Sequence, residues 1–498
     1  MSTSRFLAFD LGAESGRAVL GLLRDDRLAL EELHRFPNVV VRRGESLAWN
    51  IPGLFDGIKH GMALAAARDT APLSLGLDTW GVDFGLVARD GALLDLPRTY
   101  RDPRTQGALE SFLGRIPREE VYRRTGVQFL PFNSLFQLHA MRAANDPLLA
   151  RADGILFVPD LFHHLLTGKR TSEFTFATTT QLYNPREGDW DDALLEALGL
   201  PRRLFAEIVG PGTALGPVRE EVRRETGLAT RVIAVATHDT ASAVAAVPAE
   251  DEGFAYISSG TWSLVGAEVA EPVITADALR FNFTNEGGVA RTFRLLKNVM
   301  GLWLVQGCRR AWGLEGTGAY ARLTDAAKAA DAWRSLVDPD DPSFFNPPDM
   351  PEAIRRFCRA TGQPEPESEA ATVRAALDSL ALKYRLVLEQ LEALRGRPAT
   401  VVHVVGGGAR NGLLCQLTAD AAGVPVIAGP AEATAIGNLL VQALAAGALD
   451  SLAAARSVVR ASFAPERYEP RDGREVRAAL ARFRELCAAR PGAEKETA

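Results

Sequence analysis

The chain has few cysteines and no long apolar run, and both deficits limit the classes of protein to consider. Its 498 residues include only four cysteines, at positions 308, 358, 415 and 487, with no Cys-x-x-Cys pair. Such wide spacing predicts neither a disulfide framework nor a thiolate zinc site, and it suits a reducing cytoplasm. No apolar run reaches the roughly 18 residues that a membrane-spanning helix needs, and residues 1–5 show no signal-peptide pattern. We therefore expect a soluble cytoplasmic protein without a membrane partner.

The chain also has fewer basic than acidic residues. The 62 Asp and Glu residues outnumber the 56 Lys and Arg residues, which gives a formal net charge of −6. This balance argues against a general nucleic-acid surface, although local sites can still bind small anions. The length exceeds what one hydrophobic core usually serves, so two domains of roughly 250 residues are expected. We place an N-terminal domain at 1–245, a C-terminal domain at 246–480 and a charged tail at 481–498, and we leave open whether the protein is a monomer or a homodimer.

Apolar patterning predicts an α/β protein. The closely spaced strand patterns near the N-terminus favour an antiparallel or mixed sheet rather than a strict βαβ series. The predicted strands are 5–11, 17–23, 28–36, 73–79, 83–89, 231–237, 253–268 and 400–405, and the predicted helical segments are 51–67, 105–205, 297–312 and 367–395.

Two glycine-broken strand patterns lie almost half a chain apart and resemble each other. Residues 6–20 and 254–266 each contain an apolar strand, a turn rich in Gly, Ser or Thr, and a second strand, with Gly12 and Gly260 in matching places. Backbone amides that converge in a tight turn bind phosphate. Two copies predict two similar domains that hold one polyphosphate from opposite sides, which indicates an enzyme that uses ATP.

Asp10 ends the first of these strands, just before the turn. A carboxylate there can hold Mg²⁺, usually through water, and Mg²⁺ bridges phosphate oxygens. Turn geometry also favours Asp, so a structural role is the alternative. Ser15 and Thr261 would add hydroxyl donors, whereas Arg17 either reaches phosphate or is an exposed strand residue.

Residues 237–240 follow a buried strand and open a helix, the position where ligands gather in α/β sheets. Phosphoryl transfer to an alcohol needs a carboxylate that accepts the hydroxyl proton, and Asp239 is placed for that role. A helix N-cap is the alternative explanation. His238 would bond to a sugar rather than a metal. In the segment 76–85, Trp80 and its neighbouring glycines are typical of a sugar-binding surface, and a plain structural hairpin is the alternative. Asp83 is the alternative catalytic carboxylate.

The glycine run 406–408 lies between a predicted strand and a predicted helix. Three glycines leave room for a flat adenine or ribose against the backbone. Asn411 can cap the helix or bond to the nucleotide.

These residues together resemble the FGGY carbohydrate kinases, within the actin/hexokinase-like ATPase superfamily, over roughly residues 5–460. The matching stretches are 9–17, 78–84, 128–133, 177–181, 238–244, 258–263, 285–288, 296–303, 406–411 and 428–433. The resemblance implies two ribonuclease-H-like (actin-like ATPase) domains with a cleft between them. It also implies ATP-dependent phosphorylation of the ketose L-rhamnulose at O1, with Mg²⁺.

The resemblance further implies a role for particular residues. Asp239 would be the general base and Asp10 the metal ligand. The expected sugar contacts are Gly81, His238, Thr240 and Asn298, and the expected ATP contacts are Ala13, Glu14, Ser15, Gly16, Arg17, Thr261, Gln306 and Gly407. One departure is Glu14, an acid beside phosphate where some relatives have a small hydroxyl residue.

Two alternatives stay open at this point. The first keeps the chemistry and changes the ketose to L-fuculose, D-xylulose or L-ribulose. The second is a nucleotide-switched chaperone or regulatory binding protein on the same fold, which would need neither a general base nor a sugar-binding surface.

Overall fold

The computed structural model of the protein describes residues 3–68, 70–314, 316, 318–471 and 473–489. In the N-terminal half the strands are β1 (Ser4–Leu11), β2 (Ser15–Arg24), β3 (Arg27–Pro37), β4 (Val40–Arg43), β5 (Ser46–Trp49), β6 (Ser74–Thr79), β7 (Phe84–Val87), β8 (Gly154–Phe157), β9 (Ser172–Glu173), β10 (Tyr183–Asn184), β11 (Asp189–Trp190), β12 (Ile208–Val209), β13 (Thr213–Pro217) and β14 (Arg231–Ala234). The helices are α1 (Ile51–Ala66), α2 (Ala108–Leu113), α3 (Arg118–Thr125), α4 (Ser134–Ala143), α5 (Pro147–Arg151), α6 (Val158–Thr167), α7 (Phe174–Ala177), α8 (Asp192–Leu198), α9 (Glu220–Thr226) and α10 (Asp239–Ala245).

The C-terminal half repeats the alternation of strands and helices. Its strands are β15 (Phe254–Ser259), β16 (Trp262–Val269), β17 (Thr284–Gly287), β18 (Phe293–Met300), β19 (Val401–Val405), β20 (Val426–Ala428) and β21 (Glu466–Tyr468). Its helices are α11 (Ala276–Arg280), α12 (Trp303–Ala311), α13 (Ala319–Lys328), α14 (Met350–Ala360), α15 (Glu369–Arg395), α16 (Gly412–Ala422), α17 (Ala433–Ala445), α18 (Leu452–Ser462) and α19 (Arg474–Ala488).

Each half is built on one mixed sheet, and the two sheets have equivalent strand orders. The first runs β3-β2-β1-β6-β14-β13 and the second runs β17-β18-β16-β15-β19-β20-β21. In both, the two strands of a hairpin pair antiparallel and the first strand of the hairpin then pairs in parallel with a later strand. The mixed α/β fold with two similar domains, expected from the paired hairpins, is therefore confirmed.

The two halves exchange helix contacts. The C-terminal helix α17 packs against α10 and against β1 and β6 of the N-terminal sheet. Polar side chains cross the same boundary: Asn438 Nδ2 donates to Asp78 Oδ2 at 2.6 Å, and Gln442 Nε2 donates to the Leu7 carbonyl at 2.9 Å. This contact joins the two halves, and the residues that begin α17, Glu432 and Thr434 among them, also line the cleft described below.

The closest approach in this contact requires a glycine. A Cβ added at Gly437 on α17 would lie 1.7 Å from the Ser242 carbonyl oxygen on α10. We expect Gly437→Ala to lower the free energy of unfolding by about 3 kcal/mol, the upper range for overpacking, because a backbone atom cannot rotate away. Urea unfolding measures the effect, and Gly210→Ala, where an added Cβ meets open space, is the control. Equal unfolding midpoints for the two variants would contradict this account.

Two predictions made from the sequence differ from the observed secondary structure. The predicted helix 297–312 is wrong in its first residues, because 293–300 form β18, whose backbone pairs with β16 and β17. The segment predicted as a tail at 481–498 begins inside α19, where Phe483 is buried in the C-terminal core, and its residues 490–498 lie outside the described residues. None of the helices in the described part of the chain combines the length and apolar character that a membrane crossing requires.

Candidate active site

A cleft of about 500 Å³ separates the two sheets. Its walls come from the ends of central strands in both halves, where the two hairpin turns face each other. The cleft is lined by nearly every residue that the sequence singled out: Asp10, Ala13, Glu14, Ser15, Arg17, Gly81, His238, Asp239, Thr240, Thr261, Asn298, Gln306 and Gly407. Gly16 faces away from it, since a Cβ there would meet the Phe36 ring at 2.5 Å.

In both hairpin turns a hydrogen bond from the glycine amide closes the turn, although the first turn is one residue longer than the second. The Gly12 amide donates to the Ser15 carbonyl at 2.9 Å, and the Gly260 amide donates to the Trp262 carbonyl at 2.8 Å. In each turn a small residue lets the backbone approach a ligand closely. The Thr261 hydroxyl donates to Gln306 Oε1 at 3.3 Å, so the second turn also presents a polar pair to the cleft.

The first turn carries a charge network that crosses the cleft. Arg17 donates to Asp10 Oδ2 from Nη2 at 2.6 Å and from Nε at 2.9 Å. Its third nitrogen bonds to Glu432 of the C-terminal half, which also pairs with Arg410. Burial opposes the charge on Arg17, but the two carboxylates outweigh it and raise the pKa of Arg17 above its usual value. Arg17 therefore stays positively charged between two acids at the entrance to the hairpin.

Asp239 is the first residue of α10, and His238 occupies the N-cap position without a side-chain capping bond. The helix-capping role considered for Asp239 is therefore not what the structure shows. Its carboxylate accepts from the Thr240 hydroxyl at 3.1 Å and faces the cleft. Its enclosed position raises the pKa of Asp239 above its usual value, the Asp10 charge adds to the increase, and His238 partly offsets it.

A buried glutamate supports the segment before Asp239. Glu173 Oε2 accepts from the Thr237 amide at 3.1 Å and from the Thr237 hydroxyl at 2.7 Å. The neighbouring Thr175 hydroxyl accepts from the His238 amide at 3.2 Å. Sequence reasoning missed Glu173; its one signal was an isolated acid in the otherwise uncharged stretch 171–182.

The region expected to bind sugar is assembled from both halves. A Cβ at Gly81 would approach His238 Nε2 at 3.2 Å, so only a residue without a side chain leaves the imidazole face open. Asn298 is held by Gln128 Oε1, which accepts from its amide at 2.9 Å and from Nδ2 at 3.0 Å. Gln128 and Glu286 also line the cleft; both lie in stretches that match the family, 128–133 and 285–288, but neither was assigned a role from the sequence.

Asp83, the alternative catalytic carboxylate, does not line the cleft. It is fully buried, and its oxygens accept four hydrogen bonds, from Trp49 Nε1 at 2.6 Å, Trp80 Nε1 at 3.0 Å, the Tyr100 amide at 3.1 Å and Gln137 Nε2 at 2.9 Å. Burial raises the pKa of Asp83 to about 6. Asp83 thus holds Trp80, which lines the cleft, together with Trp49 behind it.

We expect Asp83→Asn to destabilise the protein without abolishing its activity. An amide has one acceptor oxygen in place of two, so at least one buried donor loses its partner, at a cost of about 1–3 kcal/mol. Thermal unfolding and turnover per folded molecule measure the two effects. A stable variant with turnover reduced a hundredfold would instead make Asp83 a participant in the chemistry.

In the glycine run 406–408, only Gly407 leaves a bare backbone surface, because a Cβ at Gly406 or Gly408 would meet Ser259 at 3.0 Å or 2.0 Å. A Cβ at Gly407 would meet no atom within 4 Å. Asn411 caps α16 through Oδ1, which accepts from the Leu414 amide at 3.0 Å, and its Nδ2 donates to Tyr320 at 3.1 Å. Glu14 is exposed and lies 3.8 Å from Arg310, so its charge is partly balanced from the opposite half.

The cleft offers few protein ligands for a metal ion. Within the described ranges, no three His, Cys, Asp or Glu side chains are grouped to hold a metal ion. Both hydrogen bonds from Arg17 go to Oδ2 of Asp10, which leaves Oδ1 for a further ligand. One carboxylate oxygen fits Mg²⁺, which keeps several waters and binds mainly through substrate phosphates.

Two equivalent sheets around a cleft, with a glycine-containing turn on each side and a carboxylate at a strand end, define a two-domain sugar kinase of the actin-like ATPase fold. Solved structures of this fold superpose on the whole chain. The crystal structure of gluconate kinase from Lactobacillus acidophilus matches with a TM-score of 0.80 at 17% identity, covering 100% of this chain and 99% of that one. Plasmodium falciparum glycerol kinase with ADP matches with a TM-score of 0.76 at 15% identity, covering 97% of each chain.

The protein belongs to the FGGY family of carbohydrate kinases: the family's N-terminal domain matches residues 6–246 and its C-terminal domain matches residues 255–446. Among curated proteins, the rhamnulokinase of Bacteroides thetaiotaomicron is 50% identical over 468 residues, 94% of this chain and 96% of that protein. The rhamnulokinase of Pectobacterium carotovorum subsp. carotovorum is 43% identical over 501 residues, 100% of both chains.

Proposed function

We propose that the protein transfers the γ-phosphoryl group of ATP to O1 of L-rhamnulose, giving L-rhamnulose 1-phosphate and ADP. The observation that carries the proposal is the position of Asp239, whose carboxylate faces the cleft between two glycine turns and beside His238. The substrate is inferred from the rhamnulokinases that match this chain over nearly its full length. Because the reaction consumes ATP, we place the enzyme in the cytoplasm.

In this proposal Asp239 is the general base. Its carboxylate accepts the O1 proton as the O1 lone pair attacks the γ-phosphorus. The bond from that phosphorus to the bridging oxygen breaks, and ADP leaves with its electron pair. A raised pKa brings the base closer to the operating pH, which favours proton transfer in the transition state. Gly81, His238, Thr240 and Asn298 orient the sugar so that O1 meets the phosphorus in line.

The hairpin turns and their neighbours hold ATP. Ala13, Glu14, Ser15 and Arg17 form the phosphate side from the N-terminal half, whereas Gly16 packs against Phe36 behind them. Thr261, Gln306 and Gly407 approach the nucleotide from the C-terminal half, with Gly407 presenting its backbone surface to the base or ribose. Movement of the halves towards each other would exclude water and limit ATP hydrolysis.

Asp10 would hold Mg²⁺ together with the phosphates. When bound, the ion neutralises phosphate charge that develops during transfer. Asp10 also keeps Arg17 at the mouth of the hairpin, where a phosphate oxygen can take over one of its hydrogen bonds.

The assignment of Asp239 predicts how the rate depends on pH. The protonated acid cannot accept the O1 proton, so kcat/KM falls as the pH is lowered through the Asp239 pKa. Because that pKa is raised from the usual 3.8, the acid limb lies at higher pH than for an exposed aspartate. A pH–rate profile, with stability checked at each pH, measures this. An activity that stays constant down to pH about 4 in the folded protein would contradict the assignment.

A ketose panel tests the proposed function. Purified protein is given MgATP and L-rhamnulose, L-fuculose, D-xylulose or L-ribulose, and ADP release is followed by a coupled assay. We expect the highest kcat/KM with L-rhamnulose, and ³¹P and ¹³C NMR of the product to place the phosphate on O1. A higher kcat/KM with another ketose would show that L-rhamnulose is not the preferred substrate. ATP turnover that does not depend on any sugar would contradict the proposed kinase function.

A further inference from the structure

Two buried charges from the C-terminal sheet lie directly behind the His238 ring. Glu286 lies on β17 and Arg294 on β18, whereas His238 precedes α10 in the other half. Arg294 is 0% exposed, Glu286 4% and His238 7%. Ionised groups buried this deeply destabilise a fold unless they are paired and hydrogen-bonded. Their position against a cleft residue indicates a role that an apolar pair could not fill.

The three side chains form a closed cluster. Arg294 Nη2 lies 3.1 Å from His238 Nδ1 and 3.2 Å from Glu286 Oε2, and that carboxylate oxygen lies 3.3 Å from Nδ1. Arg294 Nε also donates to the Gly287 carbonyl at 2.9 Å, which fixes the guanidinium plane. Burial opposes ionisation of Glu286, but chiefly the Arg294 charge lowers the pKa of Glu286 below its usual value. The pair is therefore ionised.

This geometry favours one placement of the ring hydrogen. A guanidinium donates and never accepts hydrogen bonds, so Nδ1 of His238 is the acceptor in its 3.1 Å contact with Arg294 Nη2; the competing arrangement is Nδ1–H donating to Glu286 Oε2 at 3.3 Å. With Nδ1 as acceptor, the ring carries its hydrogen on Nε2. That nitrogen lies 3.6 Å from Asp239 Oδ1 and faces the open surface above Gly81.

We propose that Glu286 and Arg294 are positioning residues that fix the orientation and tautomer of His238, so that Nε2–H donates to a hydroxyl oxygen of the ketose. The inference rests on the proposed function, because it assigns a sugar to the space beside Asp239. The recognised group is a hydroxyl close to the one that Asp239 deprotonates, and its oxygen accepts rather than donates. Since the pair belongs to the opposite half from His238, the donor is set only while the two halves are in contact.

A double variant separates this role from a structural one. In Glu286→Gln/Arg294→Met both charges disappear together, so no uncompensated charge is left buried. We expect its KM for L-rhamnulose to rise on the order of 10-fold, as for the loss of one oriented hydrogen bond to a substrate, with the KM for ATP unchanged. The control is Glu268→Gln, which breaks the part-buried ion pair between Glu268, on the same sheet, and Arg456 of α18 and should leave both KM values unchanged. A wild-type sugar KM in the double variant would overturn the inference.

The tautomer provides a readout independent of activity. The ¹⁵N shifts of selectively labelled histidine report which ring nitrogen is protonated, and His238→Gln identifies the signal among the seven histidines. We expect the Nε2–H form in the wild-type protein, and an Nδ1–H form would overturn the inference even if the double variant fails to fold. If the wild-type protein does not phosphorylate L-rhamnulose, the proposed function fails, while the tautomer still decides the inference about His238.

Discussion

Asp239→Asn lowers kcat by at least about 10²-fold, the loss expected when a general base is removed, while the protein folds normally. Asparagine keeps the size and the hydrogen bond to Thr240, but it cannot accept the O1 proton at any accessible pH. Because the side chain lies at the cleft surface and does not cap α10, its replacement removes little from the stability. We also expect the KM for ATP to change little, since the carboxylate acts on the sugar.

Single-turnover rates with L-rhamnulose and MgATP measure this effect directly. The matched control is Asp83→Asn, an identical chemical change at an aspartate outside the cleft, for which stability rather than turnover should fall. The pH–rate profile of Asp239→Asn should also lose its acid limb. Near-normal turnover in a folded Asp239→Asn protein would require a different base.

Asp10→Asn should lower kcat on the order of 10²-fold at millimolar Mg²⁺, equivalent to about 2.7 kcal/mol of transition-state stabilisation. The amide oxygen is a weaker ligand for a hard cation than a carboxylate. Part of the rate should therefore return as Mg²⁺ is raised, and rates measured across a Mg²⁺ titration at saturating ATP and sugar show this.

Asp10 also pairs with Arg17, so the loss could come from a displaced arginine instead. Glu432→Gln separates the two causes, because Glu432 is the other acidic partner of Arg17 but is not the proposed metal ligand. We expect Glu432→Gln to change the Mg²⁺ dependence little. An equal loss in both variants, with unchanged Mg²⁺ dependence in each, would assign the effect of Asp10 to Arg17.

Local patterns predicted much of the fold and of the cleft lining. The hairpins 6–20 and 254–266 were recognisable because a strand, a glycine turn and a second strand form a contiguous signal. That repetition alone predicted two similar domains, which the equivalent strand orders of the two sheets confirm. The residues assigned to ATP and sugar line the cleft, except Gly16, and their chemical roles remain predictions.

The sequence predictions that were wrong or undecided depend on contacts between residues far apart in the chain. Residues 297–300 have apolar spacing compatible with a helix, but the partners that make them a strand lie on β16 and β17. Likewise, the sequence could not exclude Asp83 as the alternative to Asp239 for the catalytic carboxylate. Only packing shows that Asp83 is enclosed by hydrogen-bond donors while Asp239 faces a cleft.

The sequence by itself determined the family, the paired glycine turns and the acids that are candidates for catalysis, because each depends on residues close together in the chain. Tertiary structure decided which of those acids reaches the cleft and what surrounds it. The Arg294–Glu286 pair behind His238 is an example, since 48 positions separate His238 from Glu286 in the sequence and no local pattern joins them. Burial, electrostatic environment and hydrogen-bond direction depend on long-range contacts, and those exist only once the two sheets have packed together.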